Sequence, residues 1–171
     1  MNPRPGDVEE ELERLHEESF GWALGCCDFD HAEAEDVLQM TYVRVISGKA
    51  SYGGKAQFRT WLFGVIRLVA LEHRRSSRRR ERLVISAAPH LTPITDEDAG
   101  ASIERSQSAE VLVAALGRLP ARQREVLHLV FYEGLTVAEA AEVMGVSVGS
   151  ARTHYARGKD AMRALLEGVE R

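Results

Sequence analysis

The sequence predicts an all-α chain made of two small helical domains joined by a flexible linker. Three observations carry that reading. Apolar residues recur three and four positions apart wherever the chain is periodic, the spacing that gathers them on one face of a helix. No segment shows the strict alternation of a half-buried strand. Between Ser86 and Ser102 the periodicity stops, and Pro89, Pro93, Gly100 and the acidic run Asp96–Glu97–Asp98 replace it. The boundaries follow as 8–84 for the first domain, 85–105 for the linker and 106–168 for the second domain.

Taken in order, residues 8–27 read as a helix with Val8, Leu12, Leu15, Phe20 and Leu24 inward. Asp30 with Glu33 can cap a second helix from about His31 to Ile46, whose Ala34, Val37, Leu38, Thr41, Tyr42 and Val45 face inward. Ser47 to Lys55 is a glycine-rich loop. A strongly apolar helix follows from about Gln57 to Arg75 and runs into HRRSSRRRER, which is too charged to be core. In the second half, Val111, Leu112, Ala115, Leu116 and Leu119 mark a helix that Pro120 breaks. Ala121 to Tyr132 is the next, with Val126, Leu127 and Val130 inside, and Glu133–Gly134 turns the chain.

The last stretch, Thr136 to Leu166, is the most informative. Thr136 and Glu139 make a capping box, after which Val137, Ala140, Ala141 and Met144 recur at helical spacing. Gly145 can take the left-handed conformation that ends this helix, Val146 can plug the turn, and Ser147 is a good N-cap for the next helix. That helix carries Ala151, Tyr155, Met162 and Leu165 on one face, with Arg152, Thr153, His154 and Arg157 near its start and largely off that face. A small-residue helix, a tight turn and a second helix with a polar, cationic start form a helix-turn-helix, whose second helix enters the DNA major groove.

Composition sets limits on what else the chain can be. The 171 residues allow one medium domain or two small ones, and 44% hydrophobic with 28% charged residues is ordinary for a globular protein. No apolar run is long enough to span a bilayer, and MNPRPGDVEEELERL lacks the basic-then-apolar pattern of a signal peptide, so a cytoplasmic protein without membrane insertion is expected. The formal net charge is −4, but basic residues crowd Arg67–Arg82 and Arg152–Arg163 while acidic ones crowd 7–18 and 96–98. Cys26 and Cys27, adjacent, cannot build a disulfide framework, and with His16 and His31 they match no zinc spacing. They read as small buried residues, and neither metal nor cofactor is expected. No nucleophile–base pair or phosphate-cradling loop is visible, and Gly53–Gly54 is not followed by a GK[ST] motif, so no enzyme is expected.

A helix-turn-helix occurs in many regulators, and the N-terminal half decides among them. AEDVLQMTYVRV (34–45), the loop before Ala56 and AQFRTWLFGVIRLVALEHRR (56–75) resemble the second conserved region of bacterial sigma factors. LPARQREVLHLVFYEGLTVAEAAEVMGVSVGSARTHYARGKDAMRALL resembles the fourth. With no room for more between them, the chain from residue 15 to 166 is similar to an extracytoplasmic-function sigma factor. A non-sigma helix-turn-helix regulator, the competing reading, lacks the FRTWL block with its basic tail.

The resemblance implies partners and sites. Core RNA polymerase would dock on Asp36, Gln39 and Tyr42, which recur along one helix. Promoter DNA would be read twice. The −10 element would meet the π-faces of Phe58 and Trp61 and the charges of Lys55, Arg59, Arg67, Arg74 and Arg75, since opened DNA needs stacking surfaces and cations. The −35 element would meet Ser147, Ser150, Arg152, Thr153, His154 and Arg157, with Arg122 and Arg124 gripping flanking phosphates. An anti-sigma protein is the remaining partner. Leu68 stands where the family commonly has an Asn that helps receive a flipped base, and Ala156 stands where some members have a larger contact residue. The acidic linker would thread through the polymerase and mimic nucleic acid there.

Overall fold

The computed structural model describes residues 5–87 and 107–168. These residues form eight α-helices and one π-helical turn, with no strand among them. The helices are α1 (Pro5–Arg14), α2 (His16–Cys26), α3 (His31–Ile46), α4 (Phe58–Ala87), α5 (Gln107–Gly117), α6 (Ala121–Leu127), α7 (Val137–Met144) and α8 (Val148–Glu167). The π-turn His128–Tyr132 continues α6. The all-α expectation holds.

Local chemistry sets the starts of α3, α7 and α8 and the end of α7. The Asp30 carboxylate accepts from the Glu33 amide at 2.9 Å and opens α3. Thr136 and Glu139 close a complete capping box at the start of α7, and the resulting hydrogen bonds hold the Glu139 carboxyl below its ordinary value. Gly145 ends α7 with φ +63°, a left-handed conformation that a side chain resists. Ser147 caps α8 by accepting from the Ser150 amide at 3.1 Å.

Three elements differ from the sequence reading. The helix expected over 8–27 is interrupted at Leu15, whose φ of −94° and ψ of 7° depart from helical values, while Leu12 and Leu15 both stay buried. The helix expected to end near Arg75 runs on to Ala87. His73–Arg82 offers no apolar residue to mark its continuation, but Arg and Glu are good helix formers and carry the helix through that stretch. Residues 85–87 of the expected linker therefore belong to α4, and 88–105, with Asp96–Asp98, lie outside the described residues. Ala121–Tyr132 is helical as expected, but its second part winds as a π-turn.

The core of α1–α4 is built on Trp22, Leu62, Phe63 and Ile66, all nearly inaccessible. The Trp22 indole N–H donates to the Phe63 carbonyl at 3.0 Å, so its one polar atom is satisfied as its ring is buried. The hydrophobic cluster does not stop at the linker. Val126, Leu129, Leu135, Ala140, Val143 and Met144 of the C-terminal unit join it, α7 packing on α4. The two helical units therefore share one apolar interior.

Candidate nucleic-acid interface

Helix α8 carries the C-terminal set. Ser147, Ser150, Arg152, Thr153 and Arg157 are exposed and His154 is half-buried. Ala151 and Gly158 face inward, which fixes which side of α8 points to solvent. The Thr153 hydroxyl donates back to the Gly149 carbonyl at 3.0 Å. At the N-terminus of this helix the first amides and the dipole favour an anion. Arg122 donates to the Met144 carbonyl at 3.1 Å and is half free. Arg124, expected on a phosphate, instead meets Asp28 at 2.6 Å with 14% of its side chain exposed.

The N-terminal set divides. Tyr52, Phe58 and Trp61 form one aromatic corner, with centroids 5.2 to 5.4 Å apart, and the Tyr52 hydroxyl donates to the Ala56 carbonyl. Lys55 beside them is exposed, as is Arg75. The other cations are engaged. Arg59 reaches the Glu133 carbonyl at 2.7 Å, the Glu133 carboxylate at 3.1 Å and Glu18 at 2.6 Å. Arg67 makes a forked pair with Glu125 at 3.1 and 3.4 Å. Arg74 donates to the Cys26 carbonyl at 2.5 Å and lies 3.5 Å from Asp28. Leu68 is 57% exposed and open to whatever meets this face.

Asp36 and Gln39 are exposed on α3, as a docking face requires. Tyr42 does not share that face. At about 100° per residue it is turned roughly 120° from Asp36, and its hydroxyl lies 3.1 Å from His16 Nδ1, half-buried against α2. The face continues instead through Val43 and Ile46, 64% and 58% exposed. Helical-wheel arithmetic from Asp36 finds both residues.

The α2–α3 loop holds a less visible feature. Asp28 and Phe29 both have positive φ, +53° and +66°, an uncommon state for residues with side chains. It brings the Asp28 carboxylate to Arg74 and Arg124 together. Beyond it, Leu24, Phe29, Leu116, Phe131 and Met162 line an open apolar groove of about 890 Å³, with Lys159 and Arg163 among its lining residues. Neither cysteine is bridged. Burial raises the Cys26 thiol well above its ordinary value and pushes Cys27 up to about 12. Among the described residues no group of His, Cys, Asp and Glu is gathered to hold a metal, and no helix is long and apolar enough to cross a membrane.

Comparison with known proteins accounts for both ends of this arrangement. Residues 14–80 match the family model of sigma-70 region 2, and residues 109–162 match that of sigma-70 region 4. The probable RNA polymerase sigma-C factor of Mycobacterium bovis is 32% identical over 139 residues, covering 81% of this chain and 72% of that one. The ECF RNA polymerase sigma factor SigL of Mycobacterium tuberculosis is 35% identical over 132 residues, covering 74% and 72%. Among solved structures, the sigma factor RpoE in its complex with the anti-sigma factor NepR, from Bartonella quintana, superposes with a TM-score of 0.73. It is 24% identical and covers 94% of this chain and 97% of that one, a likeness of fold.

Proposed function

Because the chain belongs to the extracytoplasmic-function sigma factors of the sigma-70 family, we propose that its two helical units read a promoter at two places while bound to core RNA polymerase. A sigma factor directs promoter-specific initiation and is a transcription factor rather than an enzyme. The unit 106–168 reads the −35 element through Ser147, Ser150, Arg152, Thr153, His154 and Arg157. The unit 8–84 receives the opened −10 element on the Tyr52–Phe58–Trp61 corner with Lys55, Arg59, Arg67, Arg74 and Arg75. The linker 85–105 joins them. Asp36, Gln39, Val43 and Ile46 of α3 supply the polymerase-docking face. The protein works in the cytoplasm, where polymerase and promoter are.

The observation that carries this reading is the pairing, in one chain, of a solvent-facing cationic start on α8 with an aromatic corner at the head of a basic helix. Duplex recognition needs the first, and unstacked bases need the second. An anti-sigma protein is the further partner, and the groove of about 890 Å³ supports it, since a mostly apolar cleft with a few charged groups at its wall is the kind of site that receives a ligand's apolar side chains.

The test is transcription from a promoter library with purified core polymerase. The protein must convert inert core into an enzyme that starts at defined sites sharing a −35 and a −10 element. Binding of the protein to duplex DNA with no effect on core would refute the proposal.

A further inference from the structure

We infer that Glu9 of α1 selects the base at one position of the opened −10 element, taking an unstacked base that carries an exocyclic amino group and refusing thymine. This rests on the reading of the Tyr52–Phe58–Trp61 corner as the −10 site.

A cleft of about 200 Å³ opens on that corner, lined in part by Val8 and Glu9 of α1, Ser51 and Tyr52 of the glycine-rich loop, and Phe58 and Trp61 of α4. It is smaller than the roughly 300–1,000 Å³ that drug-sized ligands fill, and suits a single flat ring system. A base taken out of its stack needs aromatic or apolar walls, and its identity is then read at its edge. The lining side chains differ in what they offer that edge. Val8 and Phe58 offer no hydrogen bond. The Tyr52 hydroxyl is spent on the Ala56 carbonyl. The Ser51 hydroxyl can turn to suit a donor or an acceptor, and the Trp61 N–H can only donate. Glu9 is the carboxylate among these lining residues, exposed and without an ion pair to the described residues. A carboxylate accepts and does not donate. Cytosine, adenine and guanine each carry an amino group that can donate to it, whereas thymine carries none and presents O4, a second acceptor.

The fold holds this acceptor in place. Val8 and Leu12, four residues apart, turn the apolar stripe of α1 toward α3, with Leu12 buried, and Glu9 stands on the flank of that stripe. Glu10 and Glu13 of the same helix do not line the cleft. Leu68 brings no hydrogen bond to a base edge, so a discriminating polar group has to come from elsewhere in the chain. The match to sigma-70 region 2 begins at residue 14, so Glu9 lies ahead of the part this chain shares with that family model. The Glu9 charge also repels phosphates. It therefore lowers affinity for every strand and lowers it most for thymine, and selectivity arises as the difference.

The experiment uses the chain bound to core RNA polymerase, with forked oligonucleotides whose single-stranded −10 segment carries each of the four bases at each position in turn. Fluorescence anisotropy gives the affinities. Glu9→Gln keeps the size of the side chain and adds a donor. At one position the preference for an amino-bearing base over thymine should fall about tenfold. Glu10→Gln, an equal charge change on the same helix away from the cleft, should leave every ratio as it was. Unchanged ratios in Glu9→Gln, a gain spread evenly over all four bases, or an equal shift in Glu10→Gln would overturn the inference. A failure of the underlying reading looks different: Phe58→Leu, which keeps an apolar side chain and loses the π-face, would leave fork affinity unchanged, whereas it should weaken if the corner is the −10 site.

Discussion

Arg67 of α4 and Glu125 of α6 lie 58 residues apart in sequence and meet at 3.1 Å, both nearly shut off from solvent. Pairs so covered cost much to break on one side, because the remaining charge is left without water or partner. Glu125→Ala should therefore lower stability by about 2–3 kcal/mol, somewhat under the loss for a fully buried pair, since Glu125 and Arg67 keep 15% and 8% of their side chains exposed. Glu11→Ala, which removes the exposed Arg14 partner, should cost no more than roughly 0.5 kcal/mol. Urea unfolding of both variants gives the comparison, and equal losses would contradict it.

Gly25 sits against the imidazole of His128, which lies between Trp22 and Tyr132 with centroids 5.2 and 5.1 Å away. A Cβ at residue 25 would meet His128 Nδ1 at 2.8 Å. Gly25→Ala should then destabilise by about 1–3 kcal/mol through overpacking. Adding His128→Ala should recover part of that loss, so a thermal-melt double-mutant cycle should return a coupling of opposite sign to the single effects.

The cysteines give a pH dependence. Burial, the main cause, raises both thiols, Cys27 from 9.0 to about 12. The folded chain thus prefers the neutral form. That preference contributes fully below the unfolded thiol value and is lost as pH rises toward about 12. Stability should decline through the alkaline range above 9, and changing both cysteines to Ser should flatten that decline. At pH 8, iodoacetamide should label the native chain far more slowly than the urea-unfolded chain, as read by mass spectrometry.

Arg152 is exposed and makes no ion pair with the described residues. Arg152→Ala should leave the melting temperature within a degree or two and cost about 1–3 kcal/mol of −35 binding, with relaxed preference at one base pair. A uniform loss across all base substitutions, with a reduced salt slope, would mark Arg152 as a phosphate contact instead.

Leu68 lies on the outer side of α4, so replacing it touches no core. Leu68→Asn should cost roughly 0.5 kcal/mol in helix propensity and sharpen selectivity at one unstacked base in a panel of forked oligonucleotides. Unchanged selectivity would place base reading in the Ser47–Gln57 loop.

What the sequence revealed and what it hid divide by range. The caps at Asp30–Glu33, Thr136–Glu139, Gly145 and Ser147 were legible because each depends on residues at most three positions apart. The holding of Arg59 and Arg67 was not, because Glu133 and Glu125 are 74 and 58 residues away and nothing local distinguishes an arginine awaiting phosphate from one already paired. The break at Leu15 escaped because α1 and α2 keep one apolar phase on either side of it. The resemblance puts Tyr42 on the docking face with Asp36 and Gln39, while its half-apolar ring draws it toward α2 and His16.

Helix α4 has one more consequence, a mechanical one. Its 30 residues form an unbroken rod of about 45 Å, the axial length of roughly 13 base pairs. The aromatic corner at its head and the arginines along its tail are thus rigidly phased, like marks on a ruler. A single residue inserted after Arg75 would rotate everything beyond it by about 100°. It would deliver Arg78, Arg79 and Arg82 to a different side of the duplex while leaving their number and charge untouched.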